Sequence, residues 1–108
     1  MTITSVASAS QSATLDTEHT LSTQTTPGVY ILVVDMANLA AGDIVILRIK
    51  TKYATGGTSR LAYMAEFAGV QTEPNKYSVP VPVDTEIVCT LEQTDGTGRE
   101  FPWNLLAM

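Results

Sequence analysis

The side chains that most often perform catalysis are scarce in this chain. His19 is the only histidine and Cys89 the only cysteine, and no neighbouring residue stands out as a partner that would make either a base or a nucleophile. Cys89 lies in the segment VCTL, which is typical of a strand, so we interpret it as a small buried apolar residue. A single cysteine excludes an internal disulfide and a cysteine-based zinc site. We therefore predict no catalytic residue, no metal and no cofactor, and expect that the protein is not an enzyme.

Two other patterns could carry chemistry, and each has a simpler interpretation. Asp35 and Asp43 flank one loop, where converging carboxylates could form an acid–base pair or bind calcium. Acidic residues beside turns are also commonplace. The glycine-rich segments TGGTS (55–59) and DGTGR (95–99) precede no predicted helix and lack the spacing of a phosphate-binding loop. We interpret both segments as hairpin turns.

Residues that could bind a partner are easier to nominate. Trp103 follows Phe101 and Pro102; tryptophan is a common anchor of interfaces, and it also suits the core of a domain of this size. Three basic residues alternate along one strand, where they most simply form its solvated face. Two apolar residues stand in an otherwise polar N-terminal segment. The candidate partner-binding residues are Ile3, Val6, Arg48, Lys50, Lys52 and Trp103.

Length and charge restrict the class of protein. A chain of 108 residues suits one domain with one core. Its net charge of −5 argues against nucleic-acid binding, which needs clustered Lys and Arg. No stretch approaches the roughly 20 apolar residues of a membrane helix. The N-terminus lacks the basic and apolar regions of a secretory signal, so we expect synthesis and assembly in a cytoplasm, without a membrane partner.

The segment 43–67 predicts a β-hairpin around Gly56 and Gly57. A three-residue loop, 56–58, pairs Leu47 with Phe67 and places polar and apolar residues on separate faces. That register assigns six residues to the core: Leu47, Ile49, Tyr53, Leu61, Tyr63 and Phe67. The basic residues 48, 50 and 52 then lie on the outer face.

The rest of the chain also alternates as short strands separated by turns. The run 29–36 is the most apolar, which predicts a strand buried on both faces or one whose second face lies in an interface. Residues 1–13 show no periodicity and are predicted to be a flexible, extended N-terminal arm. We therefore predict an all-β fold: an antiparallel β-sandwich of six or seven short strands over 14–108, with that arm.

Several motifs occur in an order that resembles a family of small virion proteins of tailed bacteriophages. The match runs from Tyr30 to the C-terminus. It includes GD (42–43), GGT (56–58), RLAY (60–63), EP (73–74), PVP (80–82), GTGR (96–99) and FPW (101–103). The resemblance implies a structural protein without catalytic or ligand-binding residues. Within that class, a capsid decoration (cement) protein on the capsid surface is the first expectation.

The expected partners of such a protein are the major capsid protein and further copies of itself, for example in a trimer. The alternatives are a head–tail connector or tail component, and a carbohydrate- or receptor-binding module that uses Tyr63 and Trp103. Two consequences follow from the sequence. Deleting residues 1–13 should leave the fold intact and weaken assembly. Replacing Arg48, Lys50 and Lys52 by Glu should abolish particle binding without unfolding the domain.

Overall fold

The computed structural model describes residues 2–108, which form nine strands and no helix. These residues therefore include no helix long and apolar enough to cross a membrane. The prediction of an all-β sandwich is confirmed. In chain order the strands are β1 (Thr4–Ser12), β2 (Glu18–Gln24), β3 (Gly28–Asp35), β4 (Ile44–Thr51), β5 (Arg60–Ala68), β6 (Asn75–Tyr77), β7 (Val81–Val83), β8 (Ile87–Asp95) and β9 (Glu100–Ala107).

The strands form two antiparallel sheets whose pairing is nested. Sheet A has the order β1-β9-β3-β6, with β7 also paired to β3, and sheet B has the order β2-β8-β4-β5. The short strands β6 and β7 pair with opposite ends of β3 and act as one interrupted strand. In chain order, the first strand pairs with the last, β1 with β9, and the second with the second-last, β2 with β8. The innermost pair of this series is the β4–β5 hairpin. This is the topology of a jelly roll.

The core lies between the inner faces of the two sheets. Alternate residues of β3, β4, β8 and β9 point into it, because successive side chains of a strand face opposite ways. Full burial of one such aliphatic side chain contributes about 1.5–3 kcal/mol. Trp103 is 8% exposed and belongs to this core. Its central members are Tyr30, Leu32, Val34, Val45, Leu47, Ile49, Ile87, Cys89, Leu91, Phe101 and Leu105.

The predicted register of the β4–β5 hairpin is wrong by two residues. Leu47 lies opposite Ala65 instead of Phe67, because the connection spans residues 52–59 and β5 carries a bulge. The faces assigned to Leu47 and Ile49 are right, and Tyr63 and Phe67 pack against the core. Tyr53 and Leu61 are 86% and 52% exposed, so their assignment to the core is wrong.

The polar N-terminal segment contributes a strand to the sandwich. Residues 4–12, which the sequence placed in a flexible arm, form β1 and pair along β9 as an edge of sheet A. Main-chain hydrogen bonds hold an edge strand without a run of apolar side chains, so periodicity gave no signal. Only Ala7 of β1 packs against the core. Deleting residues 1–13 would remove this strand, and we now expect that deletion to destabilise the domain as well as any assembly.

Candidate interaction surface

The structure separates the residues that the sequence nominated for binding. Arg48 and Lys50 lie on β4, on the outer face of sheet B, with Lys52 just beyond the strand. Ile3 and Val6 lie at one end of the sandwich. Trp103 and Tyr63, the residues of the proposed carbohydrate module, face the core as a buried and a partly buried side chain. These residues do not form one site.

Each basic residue of the stripe on sheet B has an acidic partner within the chain. Arg48 Nη1 lies 2.8 Å from Glu92 Oε1, Lys50 Nζ 2.9 Å from Glu18 Oε2, and Lys52 Nζ 3.9 Å from Glu86 Oε2. A hydrogen bond from the Thr90 hydroxyl, followed by one from Lys50, lowers the pKa of Glu18 below its ordinary value. The stripe is therefore neutralised by strands distant in sequence, which spacing along β4 could not reveal. Replacing Arg48, Lys50 and Lys52 by Glu would place each new carboxylate beside an existing one, so we expect that triple substitution to destabilise the domain as well.

Arg48 should contribute measurably to stability. We expect Arg48→Gln to lower the free energy of unfolding by about 1 kcal/mol, since it removes contacts to Glu92 and Glu18 that are only partly screened by water. Arg60→Gln is the matched control: Arg60 is exposed and has no ion pair in residues 2–108, so its loss should cost less than about 0.5 kcal/mol. Urea unfolding of both variants at low and high salt measures this difference. Equal stabilities of the two variants would contradict it.

A buried carboxylate organises the turns at the end of the sandwich where β4 begins. Asp43 ends the loop between β3 and β4, and its side chain is 1% exposed. It accepts hydrogen bonds from Arg99 Nε at 2.7 Å, from the N–H of Ala40 at 2.9 Å and from the N–H of Thr97 at 3.2 Å. Two of the motifs that carried the family resemblance, GD and GTGR, meet in this cluster. Both are explained here by the packing of turns.

The Gln93 side chain holds the main chain of the 96–99 turn by hydrogen bonds from the buried side. It is fully buried; its Nε2 donates to the carbonyls of Asp95 and Thr97, and its Oε1 accepts the N–H of Arg99. Asp35 likewise holds main chain, by accepting the N–H of Ala37. In residues 2–108 no three His, Cys, Asp or Glu side chains are grouped so as to hold a metal ion. The carboxylates that could have suggested catalysis instead stabilise loops.

Charge is distributed unevenly between the two ends of the sandwich. Four connections lie together at one end: main-chain hydrogen bonds join 13–17 to 96–99 and 36–43 to 69–74. The N–H of Thr97 donates to the Asp43 side chain and links the two pairs. With the adjoining strand termini they carry seven acidic side chains and one arginine, and we call this the acidic end. Its charged residues are Asp16, Glu18, Asp35, Asp43, Glu73, Asp95, Arg99 and Glu100.

The opposite end carries two acidic and two basic side chains, Asp84, Glu86, Lys52 and Arg60. We call the part of it around the two chain termini the terminal end. The acidic and basic side chains of this opposite end are equal in number, whereas acidic side chains predominate at the acidic end. The molecule is therefore electrically polar along its strands, with its net negative charge displaced to one end.

The terminal end exposes two apolar side chains, Ile3 and Val6, beside a groove whose lining includes Val6. Ile3 is 60% exposed and Val6 39% exposed. Val6 is the extra residue of a β-bulge between Ser5 and Ala7, a device that redirects a side chain. The groove has a volume of about 300 Å³, and its lining contains no charged side chain. It is formed by Thr4, Val6, Gln24, Pro27, Tyr30 and Met108, among others.

The sequence nominated Ile3 and Val6 but did not predict this groove. Three separate parts of the chain, 2–6, 24–30 and 107–108, build it, and their proximity depends on the sheet order. The chain matches no protein-family model, no curated protein and no solved structure. The family resemblance therefore rests on the motifs alone.

Proposed function

We propose that this chain is a non-enzymatic structural protein of a tailed-bacteriophage particle, most specifically a capsid decoration protein. In this role it binds the shell of the major capsid protein as a homo-oligomer and stabilises that shell. Two lines of support converge: the ordered motifs resemble small virion proteins, and one end of the molecule exposes apolar side chains beside a groove that no charged side chain lines. A jelly roll also occurs in viral capsid proteins, but many functions share that fold.

The observation that carries the proposal is the polarity between the two ends. Burying a charge without a partner in an interface is costly, so interface cores are depleted of charge. The terminal end, with exposed Ile3 and Val6, meets that requirement. The acidic end does not, because Asp16, Asp35, Glu73, Asp95 and Glu100 have no ion pair within residues 2–108. Docked by the terminal end, the protein would present its negative charge to water.

Stabilisation of the shell then follows from mass action. A protein that binds the assembled shell but not the free subunit shifts the equilibrium by its differential affinity. No further chemistry is needed from the chain. A neck or tail position would use the same surface, and only the location on the particle distinguishes that alternative.

Binding to purified capsids tests the role of the terminal end. We expect Ile3→Asp to weaken binding at least tenfold, because it places a charge, and the cost of desolvating it, in the contact. Val70→Asp is the matched control: Val70 is 76% exposed in the connection 69–74 at the acidic end. Its binding should equal that of the unmodified protein.

Co-sedimentation with unexpanded and with expanded capsids measures both affinities, and thermal unfolding checks that both variants are folded. Equal loss in the two variants would show that the docking end is misassigned. Failure of the unmodified protein to bind capsids in either state would refute the decoration role itself.

A further inference from the structure

A second groove lies on the outer face of sheet A, near the acidic end and away from the terminal end. It has a volume of about 270 Å³ and is open to solvent. Unlike the groove at the terminal end, it is lined by a carboxylate side chain, Asp35, together with two asparagines. The lining includes Val33, Asp35, Asn75, Tyr77, Pro102 and Asn104.

Strand pairing builds this groove across β6, β3 and β9. Val33 lies directly opposite Tyr77 on one side and opposite Asn104 on the other. Asp35 lies opposite Asn75. Directly paired residues of antiparallel strands point to the same face. Val33 therefore forms the floor, the Tyr77 ring forms one wall, and carboxylate and amide groups border the groove.

The orientation of two polar groups is set by hydrogen bonds to neighbouring residues. Asp35 Oδ1 accepts the N–H of Ala37 at 2.9 Å, and Asn104 Oδ1 accepts the hydroxyl of Ser5. The Asn104 amide N–H groups and the whole Asn75 side chain have no protein partner among residues 2–108. Tyr77 is 62% exposed although it is a large aromatic residue. The groove thus presents hydrogen-bond donors, acceptors and an aromatic surface together.

We propose that this groove binds a neutral saccharide. Sugar hydroxyls both donate and accept hydrogen bonds, which matches two carboxamides and a carboxylate better than it matches a purely apolar pocket. The C–H face of a sugar ring packs on an aromatic side chain such as Tyr77. No cation lines the groove, and the unpaired carboxylates of the acidic end disfavour phosphates and other anions.

The position of the groove keeps this activity separate from docking. Ile3 and Val6 lie at the terminal end, whereas Asp35 and Asn75 lie at strand ends beside the acidic turns. A particle carrying the protein by its terminal end would leave the groove open to solvent. The saccharide site does not depend on the decoration role, since it belongs to the isolated chain.

Titration of the full isotope-labelled chain by NMR tests the proposal. The probes are glucose, galactose, mannose, N-acetylglucosamine and their short oligomers, each added to millimolar concentration. We expect at least one to shift the amide signals of residues 33–35, 75–77 and 102–104. Tyr77→Ala should weaken that binding about tenfold. Tyr53→Ala, which alters a tyrosine 86% exposed outside the groove, should leave it unchanged.

Three results would overturn the inference. They are the absence of shifts at the groove with every saccharide, binding that Tyr77→Ala leaves intact, and shifts with N-acetyl-arginine amide but not with any sugar. The last result would assign the groove to a cationic partner. If Tyr77→Ala disturbs the fold, Asn75→Ala serves instead, because Asn75 is exposed and makes no contact that supports the sheet through its amide.

Discussion

Replacing Gly96 by alanine should destabilise the protein by about 4 kcal/mol or more. Gly96 has a φ of +88°, which costs an alanine about 1–2 kcal/mol on its own. A Cβ there would also lie 2.8 Å from the Asp43 Cα and overlap the Asp43 carboxylate. Asp43 would have to move, which separates its buried carboxylate from the partly exposed Arg99 and from its main-chain donors, at a cost of about 3 kcal/mol.

Gly56→Ala is the control that isolates the clash. Gly56 has nearly the same φ, +84°, but nothing lies within 4 Å of the position that a Cβ would take there. This variant should therefore lose only the conformational part, about 1–2 kcal/mol. Denaturant unfolding of both variants measures the comparison. If Gly96→Ala were no less stable than Gly56→Ala, the packing of the 96–99 turn on Asp43 would be wrong.

The second large effect is expected from the charge of Asp43 and should depend on pH. Asp43→Asn keeps the shape of the side chain but places an amide among three N–H donors, so we expect a loss of about 3 kcal/mol at neutral pH. Burial alone would raise the pKa of Asp43. Hydrogen bonds from Arg99, Ala40 and Thr97 outweigh burial and leave the pKa lowered.

This lowered pKa fixes the direction of the pH dependence. As pH falls, Asp43 is protonated in the unfolded chain at about pH 3.9, before it is protonated in the folded one. The contribution of Asp43 to the free energy of unfolding is therefore complete above that pH and is lost as pH falls below it. Glu18, whose pKa is also lowered, adds a change of the same sign. The unmodified protein should therefore lose stability from about pH 5 towards about pH 2, and Asp43→Asn should lose less over the same range.

Glu73→Gln provides the control for this experiment, because Glu73 is exposed and has no ion pair in residues 2–108. It should follow the pH curve of the unmodified protein. Parallel curves for Asp43→Asn and the unmodified protein would contradict the assignment of acid sensitivity to Asp43. Urea unfolding at a series of pH values yields all three curves.

Alternation of apolar residues was enough to predict the fold class and the inner faces of the central strands. Leu47 and Ile49 were placed correctly because β4 lies in the middle of sheet B with one face buried. Tyr53 was misplaced because the hairpin connection, 52–59, is longer than the predicted three-residue loop, 56–58. Its ring instead packs beside Gly57, where a Cβ would lie 2.8 Å away. Local sequence does not specify such a loop.

Features that depend on distant contacts could not be predicted. β1 is held by β9, whose residues follow about 90 to 100 positions later, and the strand has little apolar pattern of its own. Asp43 and Arg99 are 56 positions apart, and the acid partners of the basic stripe lie on β2, β8 and the turn before β8. The uneven distribution of charge between the two ends also depends on the fold, because it is the fold that brings the connections 13–17, 36–43, 69–74 and 96–99 to the same end. Ile3 and Val6 could be nominated, but the groove beside them could not.

Electron microscopy of the intact particle is the most direct test of the central claim, that this protein docks on a capsid by its terminal end. We predict density for the sandwich over the icosahedral shell. Ile3 and Val6 should lie against the major capsid protein, and the turns 13–17, 36–43, 69–74 and 96–99 should point to solvent. Density confined to the neck or tail, or a sandwich whose acidic end faces the shell, would contradict it.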